Sequence, residues 1–222
     1  MNQKTWTAVD EYMTDLLVPT DPSLEAALKA NEAANLPAID VAPNQGKFLH
    51  LLAQMNGAKR ILEIGTLGGY STIWMAKALP ADGKLVTLEY EPKHAEVALS
   101  NIEKAGYSNL VELRKGEALD SLQQLHDEGQ EPFDLIFIDA DKENNPHYFQ
   151  WALTFSKKGT LIIVDNVVRD GEVVNANSND ERVHGVRRMF ELMAQEARVS
   201  TTAIQTVGSK GYDGLSIALV IK

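Results

Sequence analysis

The chain has no cysteine, so it can build neither a disulfide scaffold nor a thiolate metal site, and any metal must be held by oxygen or imidazole ligands. It also lacks a surplus of positive charge. Against 31 Asp and Glu it sets 21 Lys and Arg, a formal net charge of −10, whereas a non-specific grip on phosphate backbones or anionic lipid needs clustered cations. Nucleic acid and membrane are thereby disfavoured as partners, and small molecules favoured. No apolar run approaches the roughly 20 residues that span a bilayer. The opening "MNQKTWTAVDEYMTDLLV" scatters acids among its apolar residues, unlike the basic-then-apolar layout of a secretory signal, so a cytoplasmic location is the expectation.

Repeats, low-complexity tracts and Pro/Gly/Ser-rich linkers are missing as well, and 222 residues suffice for one large core. The expectation is a single domain over 1–222, with helices that serve as a lid in 1–57 and an α/β core in 58–222.

What is present is a strong alternation. Between Lys59 and Val164 the apolar runs "RILEIG", "KLVTLEY", "NLVELRKG", "FDLIFIDA" and "TLIIVDN" are separated by amphipathic stretches such as "KHAEVALSNIEKAG" and "ALDSLQQLHDEG". Near-continuous apolar strands between helical patterns imply a parallel sheet covered on both faces. The fold class is α/β, a doubly wound, mostly parallel, seven-stranded sheet. Beyond it, the pattern predicts a helix near Arg182–Ala197, a strand near Thr201–Val207, a turn in "GSKGYDG" and a closing strand "LSIALV". Those two strands pair as a hairpin and add an antiparallel carboxy-terminal strand. Three extra amino-terminal helices are predicted over Trp6–Val18, Ser23–Asn35 and Pro43–Asn56. In the first, Trp6, Val9, Met13, Leu16 and Leu17 share a face, which would pack on the sheet or on a second subunit.

Ligands of open α/β sheets sit beyond the carboxyl ends of the strands, so chemistry is sought there. The first strand ends in "EIGTLGGYS", with Glu63, Gly65, Thr66, Gly68, Gly69 and Ser71 before a helix. Glycines there either let a ligand approach the backbone or merely make a tight turn. Leu67 stands where a dinucleotide fingerprint wants glycine to admit a pyrophosphate, so a ligand without phosphates suits the loop better. The second strand ends at Glu89, placed by its spacing from Gly65 to accept ribose hydroxyls, or else simply an exposed strand-end carboxylate. Ala118, opening the helix after the third strand, either borders a flat base or only starts the helix.

The fourth strand ends at Asp139 in "FIDADKENN" and the fifth at Asp165 and Asn166 in "TLIIVDN". Two carboxylates and an amide carbonyl are the donors that Mg²⁺, Mn²⁺ or Ca²⁺ prefer. Successive strand residues point to opposite faces, so Asp165 and Asn166 converge only if the chain bends between them; otherwise "DN" is a cap. Lys142, three residues past Asp139, is either a surface lysine or a general base whose ammonium form a nearby metal disfavours. Asp141 orients Lys142, reaches the metal through water, or faces solvent. His50, His94, His126, His147 and His184 have no metal-motif spacing, and no G-x-S-x-G elbow occurs.

Taken in order, "EIGTLGGYS", "LEYEP", "GEALDSL", "FDLIFIDADK" and "LIIVDNV" resemble the cation-dependent catechol and caffeoyl-CoA O-methyltransferases. The resemblance implies a Rossmann-like class I methyltransferase fold that uses S-adenosylmethionine and a divalent cation, chiefly Mg²⁺. It implies that Val41, Glu63, Gly65, Thr66 and Ser71 surround the methionine part of the cofactor, that Glu89 holds its ribose and that Ala118 borders its adenine. Asp139, Asp165 and Asn166 match the metal ligands, with Asp139 also beside the cofactor and in catalysis, and Lys142 matches the catalytic base. A vicinal dihydroxy phenol is the implied acceptor and a homodimer the implied assembly. Asp141 and Arg169 depart from the pattern of some branches, where the acceptor would be held. Outside this family, the residues also admit an NAD(P)-dependent oxidoreductase, a metal-dependent phosphohydrolase using "DAD", or a cofactor-binding module without chemistry.

Overall fold

The computed structural model describes residues 2–222. Three helices come first, α1 (Gln3–Leu17), α2 (Pro22–Ala33) and α3 (Pro43–Met55). Strands and helices then alternate through β1 (Arg60–Ile64), α4 (Tyr70–Ala76), β2 (Lys84–Glu89), α5 (Pro92–Lys104), β3 (Val111–Lys115) and α6 (Ala118–Asp127). There follow β4 (Leu135–Ile138), α7 (Asn145–Thr154), β5 (Leu161–Asp165), α8 (Glu181–Gln195), β6 (Val199–Gly208) and β7 (Gly211–Val220). Short 3₁₀ turns at Lys142–Asn144 and Arg169–Val174 lie just after β4 and β5.

The seven strands form one sheet in the order β3-β2-β1-β4-β5-β7-β6. Strands β1 to β5 are parallel, and β7 runs antiparallel to both its neighbours. Side chains alternate across the sheet with period two. Leu62, Ile64, Val86, Leu88, Ile136 and Ile138 enter one apolar cluster, while Ile61, Leu85, Leu135 and Phe137 enter the other. With both faces covered, a strand such as "LIFI" in β4 is buried along its whole length, which is why its sequence is apolar without alternation. Truncating a fully buried ring such as Phe137 would cost about 3–5 kcal/mol.

The helices begin where their sequences direct. Pro opens α2, α3 and α5, at a position whose N–H needs no partner. Asp21 caps α2 by accepting the Ser23 N–H at 2.9 Å.

One expectation is corrected. The turn read across "GSKGYDG" is only Ser209–Lys210, because the ladder runs on to Gly208–Gly211 and places Tyr212, Asp213 and Gly214 inside β7. Gly214 is there because a Cβ would lie 2.3 Å from the Ile204 carbonyl oxygen and 2.6 Å from Val168, so the glycine marks close approach inside a strand rather than a loop. Of the apolar row on α1, Trp6 is half-buried while Val9, Met13, Leu16 and Leu17 are exposed, and the buried residue of that helix is Asp10.

Strand order reverses between β1 and β4, since β1 continues to β2 on one side while β3 crosses over to β4 on the other. Such a switch point opens a crevice at the carboxyl ends of the two strands. The residues singled out above line that edge: Ala118 after β3, Glu89 ending β2, the glycine loop after β1, Asp139 after β4, and Asp165 ending β5.

Candidate active site at the strand ends

At the switch point the two backbones touch. The Asp139 N–H donates to the Ile64 carbonyl at 2.8 Å, and a Cβ on Gly65 would fall 2.2 Å from the Asp139 carbonyl oxygen. Gly65 also has φ +97, a conformation that side chains resist. Gly68 answers to a different neighbour: a Cβ there would meet the Asn31 amide of α2 at 1.9 Å. Both glycines are thus required by protein contacts, and the loop is a close-packed junction of β1, β4 and α2.

The loop is held from beneath by two glutamates. Glu63 is fully enclosed and accepts the hydroxyls of Ser71 at 2.6 Å and Thr87 at 2.7 Å, with Thr72 as its third donor. Burial, aided by the charge of Asp139, pushes its carboxyl up to about 7 against those three bonds. Glu89 takes the Leu67 N–H at 2.7 Å and the Thr66 N–H at 3.2 Å on one oxygen, and the Glu91 N–H at 2.9 Å on the other. It is therefore buried and not the exposed strand-end group of the simpler expectation. Its bonds stabilise Leu67 at φ +51, the position where the dinucleotide fingerprint has glycine. Thr66 is buried, with its hydroxyl on Thr87 and the Leu88 carbonyl. Val41 is buried just ahead of α3, and Ala118 is half-buried at the first position of α6.

Beyond β4 and β5 the chemistry changes. Lys142, buried on its 3₁₀ turn, places Nζ 2.6 Å from Asp139 Oδ1. Gly185 of α8 presses on this turn so closely that a Cβ would lie 2.1 Å from the Lys142 carbonyl oxygen. Asp165 is buried, and burial together with the charge of Asp139 raises its carboxyl well above the ordinary carboxylate range. The bend required for Asp165 and Asn166 to converge is present: Asn166 has φ +56, a left-handed conformation that Asn tolerates better than most residues. Its N–H donates to Asp165 Oδ1 at 2.8 Å. Asp141 points elsewhere, accepting from the Tyr148 hydroxyl at 2.5 Å and from Asn144. Arg169 follows at φ +56, 3.6 Å from Asp213, whose other oxygen accepts the Val168 and Arg169 N–H groups. Among the histidines, His147 is exposed, and His50 is buried against the Trp74 carbonyl, which uses it in packing.

Three participants carried no signal in the sequence. Thr87 and Thr72 serve Glu63 across a strand and a helix. Gln45 of α3 donates from Nε2 to Asp165 Oδ2 at 2.6 Å across 120 residues of chain; its stretch "APNQGKF" shows only a proline-led helix start.

Two carboxylates and an amide at the ends of β4 and β5, beside a tight loop after β1, suit group transfer between a bound donor and an oxygen nucleophile. Comparison with known proteins agrees. A family model described as O-methyltransferase matches residues 18–220. A catechol O-methyltransferase of Niastella koreensis is 54% identical over 220 residues, covering 99% of this chain and 100% of the relative. One of Mycobacterium tuberculosis is 51% identical, covering 96% and 94%. Among solved structures, an O-methyltransferase from Bacillus cereus in complex with SAH superposes with a TM-score of 0.98 at 62% identity, covering 99% and 100%. One from Streptomyces achromogenes involved in tomaymycin synthesis, in complex with SAM, gives 0.96 at 50% identity over the full length of both chains. With sequence, topology and strand-end chemistry in agreement, the chain belongs to the O-methyltransferase family.

Proposed function

We propose that this enzyme transfers a methyl group from S-adenosylmethionine to one hydroxyl of a catechol-type phenol, with a divalent cation, Mg²⁺ in the first instance, held by Asp139, Asp165 and Asn166. The observation that carries this is the Lys142–Asp139 pair with its charges acting on the buried Asp165, which Asn166 follows in the chain, next to the Gly65 loop. The relatives bound to SAH and SAM support the donor, and those named catechol O-methyltransferase support the acceptor.

The donor set fits a hard cation. Asp165 resists ionisation because it is buried and faces a second carboxylate, and added positive charge relieves both effects. Among the described residues no group of three His, Cys, Asp or Glu side chains is assembled for a metal, and the third donor in this reading is the Asn166 amide. A bound divalent ion would supply Lewis-acid stabilisation of the phenolic oxygens.

The chain's own residues perform the rest. Glu63, through Ser71, and Glu89, through the Thr66 and Leu67 amides, hold the loop against which the methionine part lies, with Val41 on its other side. Glu89 Oε1 carries a single amide and keeps acceptor capacity, which suits a ribose hydroxyl, and Ala118 leaves room for the adenine ring. Lys142, as the neutral amine, accepts the proton of the reacting hydroxyl at Nζ. The freed oxygen attacks the methyl carbon as the carbon–sulfur electron pair passes to sulfur, giving the methyl ether and S-adenosylhomocysteine, and Lys142 then releases its proton to solvent. Alignment of donor and acceptor at near-attack distance is the main contribution.

The amino-terminal helices in 1–57 close over the core in 58–222 as a lid. The exposed row Val9, Met13, Leu16 and Leu17 on α1 serves contact with a second copy in a homodimer. A cytoplasmic location fits the acidic composition, and no described helix is long and apolar enough to cross a membrane.

The test is a methyl-transfer screen over phenolic acceptors scored by product mass, with and without chelator. A chelator should abolish transfer to catechols and Mg²⁺ should restore it. Undiminished turnover in the metal-free enzyme would overturn the cation's role, and transfer to monophenols alone would overturn the acceptor class.

A further inference from the structure

Asp165 has each carboxylate oxygen engaged by one neutral donor. Oδ1 takes the Asn166 N–H at 2.8 Å and Oδ2 takes Gln45 Nε2 at 2.6 Å. The first donor is local to the strand end. The second comes from α3, and that helix is unusually well secured. Pro43 starts it, and Gly46 lies so close to α4 that a Cβ would be 2.3 Å from the Trp74 ring. Asn44 donates to the buried Asp10 of α1 at 3.0 Å, while its side-chain oxygen accepts the Gln45 N–H at 2.9 Å. Asp10 in turn accepts the Ser209 N–H of the β6–β7 turn at 2.7 Å. Gln45 is therefore placed by a continuous polar path, Ser209 to Asp10 to Asn44 to Gln45, that ends on Asp165.

The choice of an amide at this point has a chemical consequence. A lysine or arginine would orient Asp165 equally well but would neutralise it and compete with a cation. Gln45 orients the carboxylate and leaves its charge and one lone pair on each oxygen available. We infer that Gln45 is a positioning residue for the cation site: from the amino-terminal helices it fixes the orientation in which Asp165 presents its oxygens. The inference rests on the cation-dependent reading proposed above. Partners that orient a metal-binding side chain from behind typically change metal affinity by about 10–100-fold when removed.

Mn²⁺ binding to the full chain, followed by the electron paramagnetic resonance signal of the free ion, tests this without turnover, with calorimetric SAH binding as the control. Gln45→Met keeps the volume and removes the donor. Its Mn²⁺ Kd should rise about 10–100-fold while its SAH Kd stays within about twofold of wild type. Asn44→Ala, which leaves the amide and removes its support at Asp10, should show a smaller loss in the same direction. A Gln45→Met protein that binds Mn²⁺ like wild type overturns the inference, and so does a parallel loss of SAH affinity, which would make Gln45 a general support. Should Gln45→Met not fold, a folded Asn44→Ala with unchanged Mn²⁺ affinity is equally decisive. A wild-type chain that binds no Mn²⁺ overturns the cation reading itself, an outcome distinct from a failure confined to the variants.

Discussion

The two sides of the switch point use the same functional group in opposite ways. On the β1–β2 side, Glu63 and Glu89 are each engaged by three neutral donors, hydroxyls for one and backbone amides for the other. On the β4–β5 side, Asp139 and Asp165 face each other across a site with one lysine, which is bonded to Asp139. Carboxylates so engaged hold their donors in place, and an under-compensated pair invites a cation. The glutamates thus hold the loop after β1, while the aspartates are the pair to which the proposed function assigns the cation.

The contrast breaks most severely on the aspartate side. Asp139→Ala should lower methyl transfer by about 10²–10³-fold or more, in line with losing a preorganised electrostatic contact. SAM affinity, measured by calorimetry, should change far less; an equal loss of both would erase the distinction between the sides. Lys142→Met should lower kcat by about 10²–10⁴-fold, the range for a general base. Its residual rate should rise with pH as the acceptor hydroxyl ionises unaided, which steady-state kinetics from pH 6 to 10 would detect.

On the glutamate side the expected effects are smaller and of another kind. Glu89→Gln keeps one acceptor where three N–H donors now converge, so the Thr66–Leu67 turn should loosen and SAM affinity should fall by about tenfold, the scale of one charged hydrogen bond. Mn²⁺ affinity should be unaffected. Glu63 gives the smallest effect on methyl transfer, and its signature is read in stability. Its folded carboxyl titrates near 7 rather than the ordinary 4.5, so between those pH values the native state binds more protons than the unfolded one and stability falls as pH rises. The loss is on the order of 3 kcal/mol by linkage. Glu63→Gln, whose amide pairs with hydroxyls free to rotate, should flatten that segment of a thermal-denaturation series and match or exceed wild type at pH 8.

Much of this was legible in the chain. The apolar runs named β1 to β5 because strands covered on both faces leave little room for polar residues. The same logic located Asp139 and Asp165, since a charge that ends an apolar run has to emerge at a sheet edge. The hairpin was less legible: "GYDG" has turn composition, yet it lies in β7 because Gly214 is needed for close packing against Ile204 and Val168. The apolar row on α1 is plain in the sequence, but polar residues tie this helix to the β6–β7 turn, Asp10 and Gln3. Glycines at 65 and 68 left ligand approach and a tight turn both open in the sequence, and the fold adds a third demand, close packing against Asp139 and Asn31.

The sequence by itself determined the layer order, the strand termini and the chemical types gathered there, because periodicity and burial act over a few neighbouring residues. The tertiary structure alone decided which carboxylates are satisfied and which are left facing one another. Those outcomes depend on partners far apart in the chain, Thr87 on Glu63 and Gln45 on Asp165, and on one left-handed residue, Asn166. A hydrogen bond forms over about 3 Å, a distance that only the packed sheet and its helices set.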